Sequence, residues 1–231
     1  MSQLSTDRAT DAYEKLRELI VRGRLAPGSR IIETDIAKRL GVSRTPARAA
    51  LQRLAQEGYI VSDGDGRRSR PTIAPLTWED AEELFYIVGI IEGLAARWTA
   101  ELEPAPHDRV VARLREANRR FAEKSHEKRP DFNELFSLDE RFHRLYVEAG
   151  AGPRLLALHD SIKPQAERYA RVYISLLTAQ IPISVKEHNA IIEAIDAAEP
   201  EIAQRAVETN WRNAAARLSR VIADVGEWGS W

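Results

Sequence analysis

Between Asp35 and Arg53 the chain reads DIAKRLGVSRTPARAALQR, and this stretch restricts the fold more than any other. Ile36, Ala37 and Leu40 recur at helical spacing. Gly41 can take positive φ and close that first helix. Ser43 is an N-cap candidate for a second helix, and Pro46 falls in its first turn, where a missing N–H is harmless. Ala47, Leu51 and Leu54 repeat four and three apart, one face of a helix. Arg44, Arg48 and Gln52 lie on the opposite side with Thr45 beside them. Two short helices with apolar backs and a basic, hydroxyl-bearing front form a helix-turn-helix. The second helix can enter a major groove with its N-terminal residues at base edges.

Around this stretch, Ala12, Tyr13, Leu16, Leu19 and Ile20 form an amphipathic first helix that stops near Gly23, before a Pro27-Gly28 turn. Downstream, Tyr59-Ile60-Val61 and Thr72-Ile73-Ala74 are β-like runs. They flank the turn signal Asp63-Gly64-Asp65-Gly66 and Arg67, Arg68 and Arg70. The expectation is a two-stranded wing whose basic tip, at Gly66 and Arg67, approaches the DNA backbone.

The charge is divided in the same way. The net charge of −1 combines residues 1–75, with 14 Lys+Arg against 9 Asp+Glu, and residues 76–231, with 20 against 26. A basic first part joined to an acidic second part suits a nucleic-acid module attached to a different domain. No run of about 18 apolar residues offers a membrane span. MSQLSTDRAT carries no signal-peptide core. Cysteine is absent, which excludes disulfides and thiolate metal sites and accords with a cytoplasmic protein.

After a Pro75-Leu76 linker the chain reads as helices only, over 78–101, 107–125, 131–149, 153–178, 185–197 and 200–224. Thr77 with Asp80, and Ser184 with Glu187, look like capping boxes. Pro164 is expected to kink or break the fourth helix, and Pro200 to open the last. The fold class is therefore mainly α: a winged helix-turn-helix with a small β-hairpin wing over 1–75, then an all-α antiparallel bundle over 76–231.

Polar residues interrupt the apolar stripes of that bundle. Phe132, Phe136, Asp139, His143 and Tyr146 share one helix face. His188 leads the stripe of Ile191, Ile192 and Ile195, and Asn210 lies among Ala203, Val207, Ala214 and Val221. Buried polar groups need partners. A carboxylate and imidazoles converging from separate helices suit a divalent metal, such as Zn, Ni or Mn; the alternative is a hydrogen-bonded core network without an ion.

GSRIIETDIAKRLGVSRTPARAALQRLAQEGYI resembles the winged helix of GntR-family bacterial transcription regulators, over about Tyr13 to Ala74. In GVSRTPARAAL, Ser43, Arg44 and Arg48 fall where that family places DNA-contacting residues. IIEGLAARWTAE, FSLDERFHRLYVEAG and EHNAIIEAIDA resemble the FCD ligand-binding domain of the FadR-type subfamily, across most of 76–224. The resemblance implies a cytoplasmic, homodimeric regulator that binds operator DNA and a small-molecule effector, and is neither an enzyme nor a membrane protein. It implies metal ligands at Asp139, His143 and His188, with Asn210 standing where a further histidine is expected. Many such proteins place an arginine for an acidic effector a few residues before the Glu-Gly matching Glu92-Gly93. Tyr86-Ile87-Val88-Gly89-Ile90 has no charge there, so a more apolar pocket is expected, with Arg141, Arg168, Tyr169, Arg171 and Tyr173 as other polar sources, most of them on the surface. Two further readings are open: a metal-dependent helical hydrolase using Asp139, His143 and His188, and a constitutive DNA-binding dimer without effector.

Overall fold

The structure, a computed structural model, describes residues 2–63 and 70–229, which divide into two compact units. The first contains residues up to Thr77 together with the segment from Gly226; the second runs from Trp78 to Val225. The chain therefore passes between units twice.

In the first unit, α1 (Ser2–Val21) precedes α2 (Glu33–Leu40) and α3 (Arg44–Gln56). α1 buries Ala12, Tyr13, Leu16 and Ile20 against Ala50 and Leu54 of α3 and Ile36 of α2. Gly41 ends α2 in the left-handed conformation, at φ 68°, and its N–H returns to the carbonyls of Ala37 and Lys38. That turn aims α3 away from α2, as the sequence requires. Strands β1 (Ile60–Asp63) and β2 (Arg70–Ile73) pair antiparallel, with Ile60 opposite Ile73. Arg30 forms an isolated bridge with Thr72, adding to the wing's edge. The C-terminal segment returns to this unit. Trp228 exchanges backbone hydrogen bonds with Leu76 at 2.8 and 3.3 Å.

The second unit is a bundle of α4 (Trp78–Ala100), α5 (Pro104–Ser125), α6 (Phe132–Gly150), α7 (Pro153–Leu177), α8 (Ile181–Asp196) and α9 (Pro200–Val225). A 3-10 turn, Thr178–Gln180, joins α7 to α8. Two expectations change here. α7 continues through Pro164 as one helix. α8 starts at Ile181, not after Ser184, because Pro182 serves its first turn; Ser184 is thus inside the helix and caps nothing. α6 is capped by Asp131, whose Oδ1 accepts from the N–H groups of Asn133 and Glu134. Close packing of α4 on α9 depends on Gly89, where a Cβ would lie 2.9 Å from that of Trp211. This approach brings the Trp211 indole to the centre of the bundle.

Candidate functional sites

On the winged helix, Ser43 occupies the N-cap position of α3, but its hydroxyl makes no capping bond. It therefore stays available at the helix N-terminus, where backbone N–H groups and the dipole favour a phosphate. Arg44, Thr45 and Arg48 follow on the exposed face, while Ala47, Ala50 and Leu54 are buried. The periodicity read from the sequence thus separates the faces correctly, with Ala50 carrying more of the buried contact than the half-buried Leu51. Gly66 and Arg67 lie outside the described residues.

The bundle holds a partly open cavity of about 120 Å³. Phe85, Phe121, Phe136 and Trp211 give it an aromatic wall, and Asp139, His143 and Asn210 line it. His188 is fully buried and stacks on Phe142, with ring centroids 3.9 Å apart. Ligand atoms of Asp139, His143 and His188 all lie within 4.8 Å of one another. The structure therefore brings together three sequence-predicted residues from α6 and α8.

The tautomers follow from the partners. His143 Nδ1 is 2.7 Å from Glu92 Oε2. A carboxylate only accepts, so Nδ1 carries a proton and donates it to Glu92. Asn118 Nδ2 donates to Asn189 Oδ1 and to the Val185 carbonyl, which leaves its Oδ1 to accept from His188 Nδ1 at 3.1 Å. His188 Nε2 is then a bare acceptor. It is buried, has no hydrogen-bond partner among the described residues, and lies 3.5 Å from Asp139 Oδ1. Burial holds the His188 imidazole well below its ordinary pKa, with the nearby His143 adding to the effect, so it is neutral. Burial also pushes the Asp139 carboxyl up, against the opposing influence of His143 and Lys163. The Asp139 side chain is 40% accessible and lines the cavity. Two imidazoles and one carboxylate, each imidazole oriented by a hydrogen bond on its Nδ1, are donor types that fit a divalent cation.

Asn210 is placed differently from an unconstrained ligand. Its Nδ2 donates to Glu187 Oε2 at 2.9 Å, and Glu187 is also held by Arg217 and Asn213. With the amino group committed, the carbonyl oxygen is the end left for the cavity.

Sequence reasoning missed the centre that organises this site. Glu92 is fully buried and accepts five hydrogen bonds, from His143, Tyr146, His159, Lys163 and Trp211. Burial alone would push its carboxyl up. The Lys163 ammonium at 2.8 Å and His143 outweigh this and hold it well below the usual carboxylate range. Burial likewise disfavours the Lys163 ammonium, and Glu92 beside it outweighs that, so its pKa is raised. His159, Lys163, Ala166 and Tyr169 occur four and three apart on α7, so a helical stripe containing two bases was already visible. Arg168, Tyr169 and Tyr173 are buried, contrary to expectation, and Tyr169 donates to Asp80 at 2.6 Å. The charged cavity residues on α7 and α9 are instead Lys163, Glu167 and Arg217.

A helix-turn-helix with an arginine-bearing face, in one chain with a helical domain that holds a charged cavity, is the arrangement of a DNA-binding regulator with a ligand-binding domain. Comparison with known proteins agrees. Residues 8–67 match the description "Bacterial regulatory proteins, gntR family", and residues 83–213 match the FCD domain. A Bacillus subtilis HTH-type transcriptional regulator, YdhC, is 26% identical over 92% of this chain and 91% of its own length. The "Probable D-xylose utilization operon transcriptional repressor" of Paenarthrobacter nicotinovorans is 28% identical over 86% of this chain and 84% of its own. Among solved structures, E. coli McbR/YncC superposes with a TM-score of 0.71 at 18% identity, covering 93% of this chain and 98% of that one.

The chain belongs to the GntR family of bacterial regulators and carries an FCD domain. It is a DNA-binding transcription regulator and not an enzyme, which removes the hydrolase reading. No helix among the described residues is long and apolar enough to cross a membrane.

Proposed function

We propose that residues 1–75 read an operator and that residues 76–231 bind the effector and a second copy of the chain, giving a homodimeric repressor of the cytoplasm. Arg44 and Arg48 face base edges in the major groove, Ser43 and Thr45 meet the adjoining backbone, and Gly66 and Arg67 of the wing meet phosphate or the minor groove. Two recognition helices then read half-sites about 34 Å apart, or a multiple of that spacing. The dimer contact is the face of α4 bearing Tyr86, Ile87, Ile90 and Trp98, large apolar side chains that are exposed in the single chain. Its occupant is a second copy, because one recognition helix per chain requires a pair for a two-fold operator.

A divalent ion is held by Asp139, His143 and His188, with the Asn210 carbonyl or a water beside them. When bound it supplies a Lewis-acidic centre on the cavity wall for an oxygen atom of the effector. The observation supporting this is the unpartnered Nε2 of His188 facing Asp139. The effector binds the DNA-competent and DNA-incompetent arrangements of the dimer with different affinity, which is the condition for any switch. A constitutive binder instead has DNA affinity that no metabolite alters.

The test is binding of full-length protein to a selected operator and to a random duplex. Arg44→Ala should cost about 1–3 kcal/mol on the operator and relax sequence preference. Equal loss on both duplexes removes the major-groove assignment.

A further inference from the structure

The recognition helix does not present its arginines alone. Glu33, the first residue of α2, reaches across the turn between the helices. Arg48 donates to it twice, from Nε to Oε2 at 2.8 Å and from Nη2 to Oε1 at 2.9 Å. Arg44 donates from Nε to Oε1 at 3.1 Å. The arginine side chains are 66% and 56% exposed, and that of Glu33 is 25% exposed. Arg48, through its hydrogen bonds, does most to hold the Glu33 carboxyl below its ordinary pKa, so the pair is charged at neutral pH.

This geometry divides the Arg48 guanidinium. Its five N–H groups lie in one rigid plane. Glu33 takes the Nε/Nη2 edge, and the Nη1/Nη2 end retains two parallel donors, the number that guanine O6 and N7 accept together. A free arginine on a helix surface samples many rotamers, and fixing one loses side-chain entropy. Here that ordering precedes DNA. The carboxylate also offsets the attraction of both guanidiniums for phosphate, which is the interaction non-specific binding depends on.

We infer that Glu33 is a positioning residue that sets the sequence discrimination of this regulator, holding Arg44 and Arg48 ready for base edges and away from phosphates. The inference rests on the base-reading role proposed above for those arginines. Glu33 also lies in the first turn of α2 with Asp35, where acidic residues favour the helix dipole, so a structural role must be separated from a recognition role.

Fluorescence anisotropy on a selected operator and a scrambled duplex of equal length, over a range of salt, makes the separation. Glu33→Gln keeps the side-chain shape and removes the charge. Its scrambled-duplex affinity should rise, with a salt slope steeper by about one counterion. Its operator-to-scrambled ratio should fall about tenfold, the loss of roughly one ordered bidentate contact. Glu33→Asp keeps the charge but loses reach; it should lower the ratio while leaving scrambled binding near wild type. A Glu33→Gln protein with unchanged ratio and slope, altered only in melting temperature, overturns the inference and leaves a helix-end role. If Arg44→Ala leaves the wild-type ratio untouched, the base-reading assignment fails first, so the two failures are distinguishable.

Discussion

His188 Nε2 faces Asp139 Oδ1 across 3.5 Å, and no described residue donates a hydrogen bond to that nitrogen. With Asp139 ionised, two lone pairs oppose each other inside the bundle, an arrangement that a cation between them relieves. A chelator should therefore lower the melting temperature of the purified protein, and Zn²⁺, Ni²⁺ or Mn²⁺ should restore it. At an ion concentration 100 times Kd the stabilisation is about 2.7 kcal/mol. His188→Ala should abolish the response and leave operator binding in place. Asn210→His should tighten the ion if Asn210 occupies the fourth ligand's place. No ion by mass spectrometry, no chelator effect and no gain from Asn210→His would leave a polar core network.

Glu92 is predicted to be the most sensitive bundle position. Glu92→Gln leaves the Lys163 ammonium buried without its counter-charge and should destabilise by about 3–5 kcal/mol in urea unfolding. Adding Lys163→Met should recover much of that, since replacing both charges removes the unpaired ion. The double variant should still bind metal about 10–100-fold more weakly, because Glu92 orients His143. Wild-type metal affinity in the folded double variant would refute that orienting role.

Glu167 lines the cavity, and burial pushes its carboxyl up to about 7. A carboxyl with a raised native pKa binds protons more tightly folded than unfolded. Stability from this group is therefore fully present below about pH 4.5 and is lost as pH rises towards 7. Glu167→Gln should be nearly neutral at pH 4 and stabilising by about 1–3 kcal/mol at pH 8. Thermal melts of both proteins across that range provide the check; a difference independent of pH contradicts the assignment.

The winged helix was legible because its signals are local. Gly41 between two short apolar periods, Ser43 before Arg44, and the alternation of Ala47 and Leu54 with Arg44 and Arg48 fix helix, turn and exposed face within a few residues. The stripe of Asp139 and His143 was legible for the same reason, since four residues are one helical turn. The Ser184 capping box failed because Pro182 offered α8 an earlier start.

The sequence by itself determined the two-part organisation, the exposed basic face of α3, and the polar residues that stand on apolar stripes. Only the tertiary structure decided what those residues do to one another. Glu92 and Lys163 are 71 positions apart, and Glu92 and Trp211 are 119 apart, yet each pair shares a hydrogen bond. Glu33 reaches Arg48 across 15 positions through the turn at Gly41. A helical period reports which side of its own helix a residue occupies; it carries no information on which other helix packs there. That is set by side-chain volume and close approach, as where α9 meets Gly89, and by the requirement that every buried charge find its counter-charge.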